Sequence, residues 1–361
     1  MVVNSPMART VVVTQIPSPY QVELFNAAFA AGIDLAVVYV EPFDPAREWS
    51  AQTIKHPHWY LSRSSADCAR AITSAELCVF SMYRRATVRT WINERHRSGK
   101  AWCFWGERPG ATQRGFAGRT FRQFSLRPLH RTKVPIWGIG QFAIDGYARE
   151  FGRERLFINL PYFSNLTRFA SARNQNRDGR MRILYSGSLT ERKGVDLLAE
   201  SFLEVAKRHE HIHLDVLGSG PLEQAMRETL RSVGARVTFQ GFKDWDALPN
   251  AYAGADLLIA PSRYDGWALV VPEGLGSGMP VIATDQMGAA IDLIEDGRNG
   301  WIVKAGSRDA LTKQLDEAIQ QPNERRWQMV QSAQASVASH QLSDGVRRLG
   351  EAITATIAEF A

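Results

Sequence analysis

The sequence predicts an α/β protein of two doubly wound, parallel-sheet domains, on three observations. Its 361 residues exceed one typical domain. Apolar runs of strand length alternate with stretches of helical period, loosely over residues 1–160 and regularly from Arg182 onward. Between the two series, around Ser164 to Arg182, the composition turns to Asn, Arg, Gln, Ser and Gly, as in an interdomain linker.

Thr10 to Thr14 gives a first strand, Pro17-Ser-Pro-Tyr20 a turn, Gln21 to Ala31 a helix and Leu35 to Val40 a second strand, a βαβ opening. Leu77 to Phe80, Ala101 to Trp105, Val134 to Trp137 and Leu156 to Leu160 continue the strands. Glu41 to Asp67 has no clear period and reads as loop. In the second series, strands at Ile183–Ser186, His213–Leu217, Val237–Gln240, Leu257–Ala260 and Val281–Ala283 alternate with helices near Gly194–Arg208, Leu222–Val233 and Leu248–Ala253. Leu342 to Phe360 is an amphipathic helix with no strand after it. The expected divisions are residues 1–165, 166–340 and 341–361.

No apolar run approaches the ~18 residues that span a bilayer, and the N-terminus lacks a signal-peptide pattern, so the chain is expected in the cytoplasm. Cys68, Cys78 and Cys103 show no close pairing and read as core residues. The net charge of +6 is uneven, with 21 Lys and Arg against 12 Asp and Glu in residues 1–160. Arg108, Arg114, Arg119, Arg122, Arg127, Arg131 and Lys133 fall in a stretch without an acidic residue, interleaved with Phe116, Phe121 and Phe124. Such a stretch suits an anionic membrane surface, on the cytoplasmic face, or is a solvated basic face; no nucleic-acid signature accompanies it. His130 is read as part of that face, and His209, His211 and His213 as exposed or edge residues without metal-ligand spacing.

The chemistry-bearing residues concentrate in the second series. Pro261-Ser-Arg-Tyr-Asp-Gly-Trp-Ala-Leu-Val-Val-Pro-Glu273 follows a buried strand and sets Asp265 and Glu273 around a small apolar turn, so that the pair can hold two parts of one polar ligand at a strand's carboxyl end. Gly187-Ser-Leu-Thr-Glu-Arg-Lys193 opens a helix. Its small residues admit a phosphate, and Arg192 and Lys193 supply charge. Leu217-Gly-Ser-Gly-Pro lacks the third glycine of a dinucleotide fingerprint and reads as a tight turn. Asp244 and Asp246 form an Asp-x-Asp, a metal-holding pattern elsewhere, but here they precede a helix and read as caps, so no metal site is assigned.

The Asp265 to Glu273 segment resembles the sugar-nucleotide signature of family-4 glycosyltransferases, in which a Glu stands where this chain has Asp265. Gly187 to Lys193 is similar to that family's Gly-Arg to Lys-Gly loop, with Lys193 on its lysine and Ser188 on its arginine, which throws weight on Arg192 or Arg263. Gly-Met-Pro-Val-Ile-Ala-Thr284 and Asn299-Gly-Trp-Ile-Val303 extend the resemblance to about Ala310. It implies a GT-B fold, two Rossmann-like domains facing a cleft, with the last helix crossing back to the first domain. It also implies retaining, metal-independent sugar transfer from a nucleoside-diphosphate sugar, UDP or GDP, with no cofactor, and the basic first series suggests a lipid-linked or glycan acceptor in surface polysaccharide biosynthesis. On this reading Glu273 takes the ribose hydroxyls and Asp265 the sugar hydroxyls. The backbone of Gly266, Trp267, Ala268 and Leu269 faces the diphosphate or sugar, and Gly241 and Phe242 lie at the base. The family's usual His at the end of the Ala101 to Trp105 strand is replaced by Gly106-Glu107-Arg108; Glu107 reads as acceptor positioner or proton acceptor, or as a surface salt bridge. Ser188, Asp265 and the missing His also motivate a second reading, a degenerate nucleotide-binding partner. An epimerase of the same fold would need a His and carboxylate set that the chain does not supply.

Overall fold

A computed structural model describes residues 9–45, 49–50, 52–109, 115–171 and 179–361. The chain divides into two compact units, Met1–Ser164 with Leu342–Ala361, and Asn165–Gln341.

The first unit is built on seven strands, β1 (Thr10–Thr14), β2 (Leu35–Tyr39), β3 (His58–Tyr60), β4 (Leu77–Phe80), β5 (Trp102–Gly106), β6 (Ile136–Gly138) and β7 (Phe157–Asn159). All pairings are parallel, in the order β3-β2-β1-β4-β5-β6-β7. β1, β2, β4 and β5 are buried along their whole length, which is why they read as continuous apolar runs rather than alternating ones. Residues Glu41 to Asp67 depart from the loop expected there: they contain β3 and the start of a helix, Ser65–Ser74, whose N-cap Ser64 accepts from the Asp67 N–H. β3 is a three-residue edge strand, half-buried throughout, too short to show a period. It is tied down by a long-range device, His56, which bonds Tyr39 Oη at 3.0 Å and Asn26 Oδ1 at 2.8 Å. The terminal helix Leu342–Ala358 packs within this unit: the Trp137 indole donates to Thr356 Oγ1 at 2.9 Å, and Arg348 donates to the Asn159 carbonyl at 2.5 Å.

The second unit has six parallel strands, β8 (Met181–Ser186), β9 (Ile212–Leu217), β10 (Val237–Gly241), β11 (Leu257–Ala260), β12 (Val281–Thr284) and β13 (Gly300–Val303), in the order β10-β9-β8-β11-β12-β13. β13 adds one strand to the five expected. Its Gly300 allows it to pair so closely with β12 that a Cβ there would sit 2.3 Å from the Val281 carbonyl oxygen. The Leu222 to Val233 helix is shorter than expected, Glu223–Thr229, followed by a 3-10 segment broken at Val233. The linker region holds a one-turn helix, Thr167–Ser171. Each sheet changes winding direction once, at β1/β4 and at β8/β11, and in such sheets ligands bind at the carboxyl edge beside that point.

Candidate active site

In the second unit, the loops leaving β8 and β11 meet at this switch point. Gly194 sits at φ +71°, and a Cβ there would lie 2.1 Å from the Pro261 carbonyl oxygen, so only glycine lets the β8 loop close onto the β11 loop. The two are then laced together: the Arg263 N–H donates to the Arg192 carbonyl at 2.8 Å, and the Arg192 guanidinium donates to the Tyr264 carbonyl at 2.9 Å. The Arg263 guanidinium makes two bonds to Asp196, at 2.7 and 2.6 Å, and one to the Glu191 carbonyl at 2.6 Å. Its charge is committed to Asp196, which makes it a clamp between the loops.

Lys193 Nζ lies 2.5 Å from Asp265 Oδ2, and Arg192 is 3.4 Å from the same oxygen. Burial alone would raise the Asp265 carboxyl, but Lys193 and then Arg192 overcome it and hold the group below the ordinary carboxylate range. Asp265 therefore faces two cations in this structure. Gly187 (φ +155°) brings the loop past Lys193, while the Ser188 side chain is exposed and its carbonyl accepts from Tyr185 Oη at 2.8 Å. Gly218 closes against the same loop, where a Cβ would meet the Gly187 carbonyl at 2.0 Å, so the Gly-x-Gly turn is a packing device.

Glu273 is 4% exposed, in the middle of the short helix Val270–Gly276, and Tyr252 Oη donates to its Oε2 at 3.1 Å. Tyr252 is fully buried, and desolvation, reinforced by the Glu273 charge, pushes its phenol well above the usual range, so it stays a donor. Between the carboxylates the chain makes a strained turn: Ala268 has φ +73°, the sole non-glycine with positive φ among the described residues. Among the described residues, the backbone N–H groups of Trp267, Ala268 and Leu269 donate no hydrogen bond. Gly266 passes close under Gly288, where a Cβ would lie 2.3 Å from its carbonyl. The Trp267 ring is buried and stacks on His340 at 5.6 Å, so this residue can offer a ligand only its backbone. At the end of β10, Gly241 (φ +68°) and Phe242, 37% exposed, stand on the same carboxyl edge. Asp244 caps the following turn by accepting from the Trp245 N–H at 2.8 Å, and Asp246 is solvent-exposed. No group of three or more His, Cys, Asp or Glu placed to hold a metal occurs among the described residues.

Glu107 belongs to the other unit, at the carboxyl end of β5. Its carbonyl accepts from Tyr147 Oη at 2.6 Å, and its carboxylate hydrogen-bonds Tyr162, which also bonds Tyr20; the two tyrosine rings lie 4.6 Å apart. Glu107, Tyr20 and Tyr162 thus collect on the carboxyl edge of the first sheet. Neither tyrosine carries a motif, nor does Tyr252; Ala-Tyr-Ala-Gly254 gives no sign that its phenol reaches a carboxylate 21 residues on.

Residues 167–336 match the sequence model of the family described as Glycosyl transferases group 1. The match spans most of the second unit, Asn165–Gln341. Among curated proteins, the chain is 26% identical to the GDP-mannose-dependent monoacylated α-(1-6)-phosphatidylinositol monomannoside mannosyltransferase of Corynebacterium glutamicum over 61% of this chain and 59% of that one. It is 27% identical to the α-D-kanosaminyltransferase of Streptomyces kanamyceticus over 46% and 43%. The matched part thus spans roughly half the length of these relatives. Among solved structures, Anabaena HepE in complex with UDP superposes over 96% of this chain and 100% of its own with a TM-score of 0.77 at 13% identity. The lipopolysaccharide glycosyltransferase WaaG gives 0.69 at 16% identity over 96% and 99%. The architecture of the chain is accordingly two parallel-sheet Rossmann-like units, matching GT-B glycosyltransferase structures.

Several expectations about the basic stretch and the histidines need correction. Arg122 is not part of an outward basic face: it is 3% exposed and makes a paired ion contact with Glu150 at 2.9 Å. Arg108 stacks over Phe142 at 3.6 Å. His130 is half-buried, 4.4 Å from the Phe151 ring. His213 is buried and bonds Thr238 Oγ1 at 2.8 Å rather than lying exposed. Arg119, Arg127, Arg131 and Lys133 are exposed, as are Phe116 and Phe124, at 89% and 78%; Arg114 lies outside the described residues. No described helix is long and apolar enough to cross a membrane.

Proposed function

We propose that the protein is a retaining, family-4-type glycosyltransferase that moves a sugar from a nucleoside-diphosphate sugar to a lipid-linked or glycan acceptor in surface polysaccharide biosynthesis. The observation that carries this reading is the convergence of Lys193, Arg192, Glu273 and three undonated N–H groups, of Trp267, Ala268 and Leu269, on one carboxyl edge. Two cations and free amides suit a diphosphate, and a buried carboxylate suits the vicinal diol of a ribose. A GDP-mannose-dependent relative and a UDP-bound structural neighbour support UDP or GDP as the donor base. The leaving phosphate takes the acceptor proton on the front face, while Lys193 and Arg192 neutralise its developing charge, so the step asks for neither a protein base nor a metal.

In this reading the first unit binds the acceptor, with Glu107 and its tyrosine partners orienting the attacking hydroxyl. Arg119, Arg127, Arg131 and Lys133, flanked by exposed Phe116 and Phe124, would hold that unit peripherally on an anionic cytoplasmic leaflet. The relative's phosphatidylinositol-borne acceptor is in keeping with a lipid-linked one. The test is a thermal-shift screen of UDP, GDP and ADP sugars, followed by donor turnover with and without candidate acceptors. A protein whose melting no nucleotide sugar raises, and which releases no nucleoside diphosphate, is not this enzyme. Binding without any release would favour the degenerate-partner reading.

A further inference from the structure

We propose that Asp265 is a positioning residue for the phosphate cations: in the donor-free protein its carboxylate stands where the diphosphate will bind, holding Lys193 and Arg192 until the donor displaces it. This rests on the donor-site reading above and replaces a sugar-hydroxyl role for Asp265. Both cations address the same oxygen, Lys193 at 2.5 Å and Arg192 at 3.4 Å, on a carboxylate that is 14% exposed. The Asp265 backbone is fixed on both sides, its N–H donating to the Gln286 carbonyl at 3.0 Å and its carbonyl accepting from the Gly288 N–H at 3.3 Å, so the side chain has a short, fixed reach. Lys193 is 17% exposed; without Asp265 it would be a largely buried, unpaired charge.

The consequence is electrostatic. With Asp265 the cluster carries one net positive charge and without it two, so Asp265 competes with the diphosphate for the cations. It weakens the hold on the nucleotide by the attraction to the cations that the diphosphate must displace, and thereby lets the nucleoside-diphosphate product leave.

Calorimetric titration of UDP and GDP, and of the corresponding nucleotide sugar, into wild type, Asp265→Asn, Asp265→Glu, Lys193→Ala and the Asp265→Asn/Lys193→Ala double variant tests this. The bare diphosphate should bind Asp265→Asn roughly tenfold tighter than wild type. That gain should vanish in the Lys193→Ala background, and Asp265→Glu should restore wild-type affinity. Turnover of Asp265→Asn should fall while its KM falls too. Should that variant not fold, Asp265→Ser serves in its place. Unchanged diphosphate affinity in the neutral variants, with weakened binding of the nucleotide sugar alone, would make Asp265 a sugar ligand and overturn this inference while leaving the donor site intact. A wild type that binds neither diphosphate would instead remove the donor-site reading, and this inference with it.

Discussion

Glu273→Gln separates a ligand-binding carboxylate from a structural one. The side chain is 4% exposed and one of its oxygens accepts from Tyr252 at 3.1 Å. Glutamine keeps the shape and one acceptor oxygen, so the Tyr252 bond survives if the amide is placed with its oxygen toward the phenol. The other position then presents an NH2 group to the ribose, exchanging a charged acceptor for a donor. A hydrogen bond to a charged group contributes about 2 kcal/mol, which corresponds to ~30-fold weaker nucleoside-diphosphate binding. The fold, by contrast, sheds a desolvated charge, so the melting temperature should stay the same or rise. Titration with the bare nucleoside diphosphate, alongside a melting curve, reads both quantities. Affinity within twofold of wild type would remove Glu273 from the donor site, and a collapse in melting temperature would make it a structural carboxylate.

Lys193→Ala should lower turnover by ~10²-fold or more, since a phosphate-facing charge matters most as the leaving group departs, and added chelator should change little; a strict need for manganese or magnesium would revive Asp244 and Asp246. Burial lowers the His56 pKa to about 3. The unfolded chain therefore binds a proton that the folded one refuses, and stability is full above about pH 6.5 and falls as pH drops below it. Denaturant unfolding should show the first unit losing roughly 2 kcal/mol between pH 6.5 and 5 from this group, a loss that His56→Gln should abolish. Replacing Arg119, Arg127 and Arg131 together by Glu should end sedimentation with anionic vesicles and leave nucleotide affinity unchanged, whereas Arg122→Glu should lower the melting temperature, because it faces Glu150 in a buried pair. Wild type that stays in the supernatant at low salt would leave the exposed arginines a solvated face.

What the sequence determined by itself was the order of strands and the loops that end them. β1, β4 and β11 are continuous apolar runs because parallel strands are buried on both faces, and that pattern needs no partner to be read. The placement of Lys193 and Glu273 was legible for a related reason: each follows closely on a buried strand, and that local spacing puts it beyond the strand's carboxyl end whatever the rest of the chain does. β3 and β13 were not: both are edge strands, and neither His-Trp-Tyr60 nor Gly-Trp-Ile-Val303 is the continuous apolar run that marks a strand buried on both faces. Tertiary structure alone decided the partners. Tyr252 reaches Glu273, Arg263 turns to Asp196, Asp265 pairs with two cations 72 and 73 residues away, and Arg122 leaves the basic face for Glu150. Charge and hydrogen bonding act through space, and sequence spacing constrains that space only within one element.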